Sequence, residues 1–61
     1  MKKTDCIVYY YYDDGRESYE FVPSFGRAMC AAFEFPPKDC WKTKIIAPSG
    51  RTQTYLLRGA A

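Results

Sequence analysis

The sequence predicts an α+β domain: a four-stranded antiparallel sheet, in the order 2-1-3-4, with one helix packed on one face. Three observations carry this. An apolar and aromatic run from Cys6 to Tyr12 meets Asp13-Asp14-Gly15, the strongest short hairpin signal in the chain. The segment that follows Pro23-Ser24 spaces its apolar residues as a helix does. A second hairpin signal, Pro48-Ser49-Gly50, joins two further segments that alternate apolar and polar residues.

The first strand, Cys6-Ile7-Val8-Tyr9-Tyr10-Tyr11-Tyr12, is apolar or aromatic at every position, so it has something to cover on both of its faces. The second strand, Arg16 to Val22, alternates Tyr19 and Phe21 with Ser18 and Glu20, which points Tyr19 and Phe21 to the core. Two registers compete. With Asp14-Gly15 as a two-residue loop, Tyr10 pairs with Tyr19 and Val8 with Phe21, leaving Ile7, Tyr9 and Tyr11 outside. With Asp13-Asp14-Gly15 as the loop and Gly15 in a bulge, Tyr9 pairs with Tyr19 and Ile7 with Phe21, leaving Val8, Tyr10 and Tyr12 outside. Either register leaves at least two tyrosines on the face away from the helix.

Ser24 is the expected N-cap of a helix that runs to about Glu34. Phe25, Ala28, Met29, Ala32 and Phe33 form its apolar stripe, while Arg27, Cys30, Ala31 and Glu34 take the other side. Gly26 weakens the first turn and is expected to permit close approach to a strand. Pro36-Pro37 ends the helix.

The third strand is expected from Cys40 to Ala47 and the fourth from Arg51 to about Arg58, joined by a three-residue loop with Gly50 left-handed. That register pairs Thr43 with Tyr55 and Trp41 with Leu57. It places Trp41, Thr43, Ile45, Tyr55 and Leu57 in the core and puts Lys42, Lys44, Thr52, Thr54 and Arg58 on the outer face. With every pairing antiparallel, the tyrosine strand becomes central.

Sixty-one residues allow one domain, residues 1–61, with 1–4 and 59–61 expected to fray. Hydrophobic residues at 48% and aromatics at 18% mark a globular chain rather than a disordered one. The longest apolar run is too short for a membrane span and the N-terminus lacks a signal-type apolar region, so a cytoplasmic location is expected. Cys6, Cys30 and Cys40 are odd in number and widely spaced, which suits reduced thiols, with a single bridge as the alternative.

The chain has no histidine, which removes the usual general base and the commonest metal ligand, and no glycine-rich phosphate loop. Three cysteines fall short of a closed zinc site, and Asp13, Asp14 and Glu17 serve a turn before they serve a cation. No enzyme, metal or cofactor is expected.

Charge is uneven. Residues 1–37 carry four basic against six acidic residues, and residues 38–61 carry five basic against one acidic, so the C-terminal part can face an anionic partner. If the first and third strands are neighbours, Tyr9, Tyr10, Tyr11 and Tyr12 lie beside Lys42, Lys44, Arg51 and Arg58, and these eight residues are the expected partner-binding set. Three uses of such a face compete: anchoring a larger host protein or nucleoprotein complex, stacking and tracking nucleic acid, and homodimerisation.

In size, β-β-α-β-β layout and lack of catalytic apparatus, the whole chain resembles small bacteriophage-encoded proteins that disable host machinery, such as anti-CRISPR proteins and RNA polymerase inhibitors. The resemblance is one of architecture and transfers no functional residue. It implies a phage or mobile-element protein that binds and inhibits a host target.

Overall fold

In a computed structural model, residues 5–57 are described. Strands β1 (Cys6–Tyr12) and β2 (Glu17–Val22) are followed by helix α1 (Phe25–Met29), a π-helical segment (Cys30–Glu34), and strands β3 (Cys40–Ile46) and β4 (Thr52–Leu56). They form one antiparallel sheet in the order β2-β1-β3-β4, as the sequence predicts.

Both hairpins are closed by three-residue loops. The Tyr12 N–H donates to the Arg16 carbonyl at 2.9 Å and the Gly15 N–H to the Tyr12 carbonyl at 3.0 Å, with Gly15 at φ 91°. The second hairpin repeats this geometry. The Ala47 N–H donates to Arg51 at 2.8 Å, the Gly50 N–H to Ala47 at 2.9 Å, and Gly50 has φ 95°. Glycine stands where the chain must turn left-handed, a conformation that a Cβ disfavours.

Ser24 caps the helix by accepting a hydrogen bond from the Arg27 N–H at 3.1 Å. After Met29 the coil widens, and the Phe35 N–H reaches back five residues to the Cys30 carbonyl at 2.8 Å. Ala28 and Ala32 are wholly buried against the sheet and Phe25 packs at the margin, but Met29 and Phe33 are exposed, so the stripe is narrower than its spacing implies. Within the wide segment, Phe33 instead meets Tyr55 of β4, with ring centroids 5.2 Å apart. Gly26 makes no close approach: nothing lies within 4 Å of where its Cβ would stand.

The core consists of Cys6, Val8, Tyr10, Val22, Ala28, Ala32, Cys40 and Ile45. Thr43 lies among them and donates its hydroxyl to the Ala32 carbonyl at 2.9 Å, supplying a donor that the widened helix end does not. All three cysteines are free thiols.

Two core expectations need correction. Tyr19 and Phe21 are not core residues; they are 61% and 49% exposed. In β2 the alternation is real, but its apolar side faces away from the helix. Directly paired residues share a face, so Tyr19 and Phe21 go with Tyr9 and Ile7 to the open side, while Cys6, Val8 and Tyr10 turn to the helix together with Val22. Trp41 is also displaced from the core, at 40% exposure. The β1–β3 ladder shifts between Tyr11 and Tyr12, so that Tyr12 opposes Cys40 and Trp41 falls at the irregularity. Asp39, at φ 68°, turns the chain just before it.

Candidate functional site: the open sheet face

The ladders resolve which tyrosines face out. Tyr9 pairs with Tyr19 and Ile7 with Phe21, the pairing of the three-residue loop. Yet the outer set is Ile7, Tyr9 and Tyr11, because Cys6, Val8 and Tyr10 turn to the helix. Across the four strands the open face forms three rows. The first is Phe21, Ile7, Ile46 and Thr52; the second is Tyr19, Tyr9, Lys44 and Thr54; the third is Glu17, Tyr11, Lys42 and Leu56. Directly opposed side chains are close enough to interact, so each row is a physical unit.

Ring contacts hold the aromatic half together. Tyr9 and Tyr19 have centroids 5.7 Å apart, and Phe21 meets Tyr19 edge-on at 5.8 Å. The ammonium of Lys42 lies 4.5 Å from the Tyr11 ring centroid and 5.1 Å from that of Trp41, and the ammonium of Lys44 lies 5.6 Å from Tyr9. The lysine stems thus lean over β1 rather than reaching into solvent. Phe21, Tyr19 and Leu56 are well exposed, and Ile7, Tyr9, Tyr11 and Ile46 are half-buried by their neighbours.

Of the expected binding residues, the fold brings Tyr9, Tyr11, Lys42 and Lys44 together on this face. Tyr10 belongs to the opposite face: it is 6% exposed, and its hydroxyl donates to the Glu20 carboxylate. Burial first, and the Glu20 bond and charge second, push its phenol above the ordinary value of 10.0. Tyr12 also faces the helix side, against the core, with its hydroxyl 3.2 Å from Ser18 Oγ and the Arg16 guanidinium 5.4 Å from its ring. Arg51 is exposed at the end of the second hairpin, outside the rows, and Arg58 lies outside the described residues.

Tyr19, Phe21 and Leu56 join the face without having been expected there. The signal that places Tyr19 and Phe21 is the pairing itself: once Tyr9 faces out, its direct partner must as well.

Asp14 explains the acidic turn. Its carboxylate accepts from the Arg16 N–H at 3.0 Å and from Arg16 Nε at 2.6 Å, and these bonds, led by the backbone one, hold its pKa below the usual carboxylate value. Among the described residues, no three His, Cys, Asp or Glu side chains gather as a metal site would require. The exposed Cys30 thiol donates to Glu34 Oε1 at 3.5 Å, and this neighbour raises its pKa. No helix among the described residues is long and apolar enough to cross a membrane.

Comparison with protein-family models, with curated proteins and with solved structures finds no match.

Proposed function

We propose that this is a non-enzymatic interaction protein that binds a larger host protein or nucleoprotein complex through its open sheet face and inhibits or modulates it. One observation carries the reading: Phe21, Ile7, Ile46, Tyr19, Tyr9 and Tyr11 form a contiguous apolar and aromatic surface that no element among the described residues covers, with Leu56 beyond Lys42 at its edge. Surfaces of this kind on small soluble domains mark interaction sites, and tyrosine suits them because it combines contact area with a polar tip. The likeness in size and layout to phage-encoded inhibitors supports a phage or mobile-element origin and action in the host cytoplasm.

A second reading, binding of nucleic acid, draws on the Lys42–Tyr11 and Lys44–Tyr9 pairs, since rings stack bases while ammonium groups follow phosphates. The aliphatic members of the face and Glu17 favour a protein instead.

Affinity capture from a bacterial lysate, with the protein and its Tyr9→Ala/Tyr19→Ala variant as paired baits, tests the reading. The expected result is a defined protein retained by the native bait and lost by the variant, while a Glu34→Ala control on the helix side still retains it. Retention by all three baits, or recovery of nucleic acid alone, would refute it. A dimer mass in solution that the Tyr9→Ala/Tyr19→Ala change abolishes would replace the foreign partner with a second copy.

A further inference from the structure

Lys42 and Lys44 carry the strongest clue to what the partner offers. They lie on the same side of β3 with one residue between them, and ring faces hold both ammonium groups in place. A ring face orients a cation without neutralising it. The Arg16–Asp14 ion pair lies at the first hairpin and not on this face. Glu17, the acidic member of the rows, stands on β2 beyond Tyr11, its backbone roughly 9–10 Å from that of Lys42, and makes no ion pair with it. The centre of the face therefore presents two positive charges that rings orient and that no ion pair among the described residues ties up, with Phe21, Ile7, Ile46 and Leu56 near them.

We infer that the occupant of the open face is a protein surface bearing two carboxylates about 7 Å apart, seated on Lys42 and Lys44 and flanked by aliphatic or aromatic side chains on the Phe21–Ile7–Ile46 row and on Leu56. This rests on the reading that a protein occupies the face. Acidic residues two apart on a strand have the required spacing, as do residues four apart on a helix. The row of Phe21, Ile7 and Ile46 offers no hydrogen-bond donor to base edges, and it would leave a phosphodiester chain against a surface that cannot solvate it.

A random peptide library displayed on phage, selected against the immobilised full chain, tests this directly. The Lys42→Gln/Lys44→Gln variant keeps most of each stem, and Lys42→Arg/Lys44→Arg keeps the charge. The expected result is enrichment of peptides with acidic residues two or four apart beside Leu, Ile or Phe. Their affinity should fall at least about tenfold for the Gln variant and persist for the Arg variant. Circular dichroism and urea melts that match the native protein would show that both variants fold. Enriched peptides without acidic residues, or with affinity unchanged by the Gln variant, would overturn the carboxylate inference and leave the protein-binding reading standing. No enrichment, together with salt-sensitive binding of a fluorescent oligothymidylate, would overturn both in favour of nucleic acid. No binding of either probe would also overturn both.

Discussion

On the helix side of the sheet, Val8 and Ile45 stand opposite one another with no exposed surface, and the polar side chains near them, Thr43 and Tyr10, each have a hydrogen-bond partner. One residue further along β1, on the open side, Tyr9 stands opposite Lys44, both half-exposed, and a ring–ammonium contact replaces tight packing. The same two strands thus build two different surfaces. Where water is excluded, shape and hydrogen bonding must be complete, and among the described residues no buried side-chain nitrogen or oxygen lacks a partner. Where water remains, apolar area and charge stay available to another molecule.

The adjacent pair Ile45 and Ile46 gives the largest expected contrast. Ile45 is fully buried and Ile46 half-buried on the other face. Ile45→Ala should cost about 2–5 kcal/mol, enough to unfold much of so small a domain, whereas Ile46→Ala should cost about 1 kcal/mol or less. Urea denaturation of the two variants measures both. Equal losses would mean that the open face is packed as tightly as the core and would remove the distinction between the faces.

Threonine offers the next contrast. Thr43→Val keeps the shape but leaves the Ala32 carbonyl buried without its donor, at about 1–3 kcal/mol. Thr54→Val, on the exposed face of β4, should change stability by about 0.5 kcal/mol or less. A neutral Thr43→Val, by the same denaturation measurement, would show that the hydroxyl does not anchor the helix end to the sheet.

The strand order, the position of both turns, the three-residue length of the second loop and the helix limits were legible, whereas the sequence left the length of the first loop open between two and three residues. Gly15 and Gly50 mark left-handed turns, Ser24 caps the helix, and Pro36-Pro37 ends it. Facing was less legible. Alternation in Ser18-Tyr19-Glu20-Phe21 separates two sides of β2 without saying which one the helix covers, and that depends on which face of the paired strand β1 turns to the helix. Trp41 escaped for a related reason. Counting outward from Thr43 assigns it to the core, but the ladder shift opposite Tyr12 is set by the turn at Asp39 and breaks the count. The candidate site inherited both effects. Tyr9, Tyr11, Lys42 and Lys44 share the open face, Tyr10 and Tyr12 belong to the other side, and Tyr19, Phe21 and Leu56 complete the face.

The smallest expected effect separates neighbouring tyrosines by pH. Tyr10→Phe removes a hydroxyl that donates to Glu20 and should cost about 1 kcal/mol at neutral pH, since the exposed Glu20 can turn to water instead. Tyr9→Phe should cost less, because Tyr9 contributes its ring to the open face. Above neutrality the two differ in kind. Burial, reinforced by Glu20, makes the folded protein hold the Tyr10 proton more tightly than the unfolded chain, where a tyrosine ionises near 10.0. A folded-state pKa raised in this way gives a contribution that is complete below pH 10 and is lost as pH climbs from 10 toward the higher folded value. The native protein and Tyr9→Phe should therefore share a fall in stability that begins near pH 10, and Tyr10→Phe should lack that component. Urea midpoints measured from pH 8 to pH 11 decide the matter. If all three proteins decline in parallel above pH 10, the Tyr10 hydroxyl is not held on the buried side, and the division of the tyrosine strand between its two faces fails at its central residue.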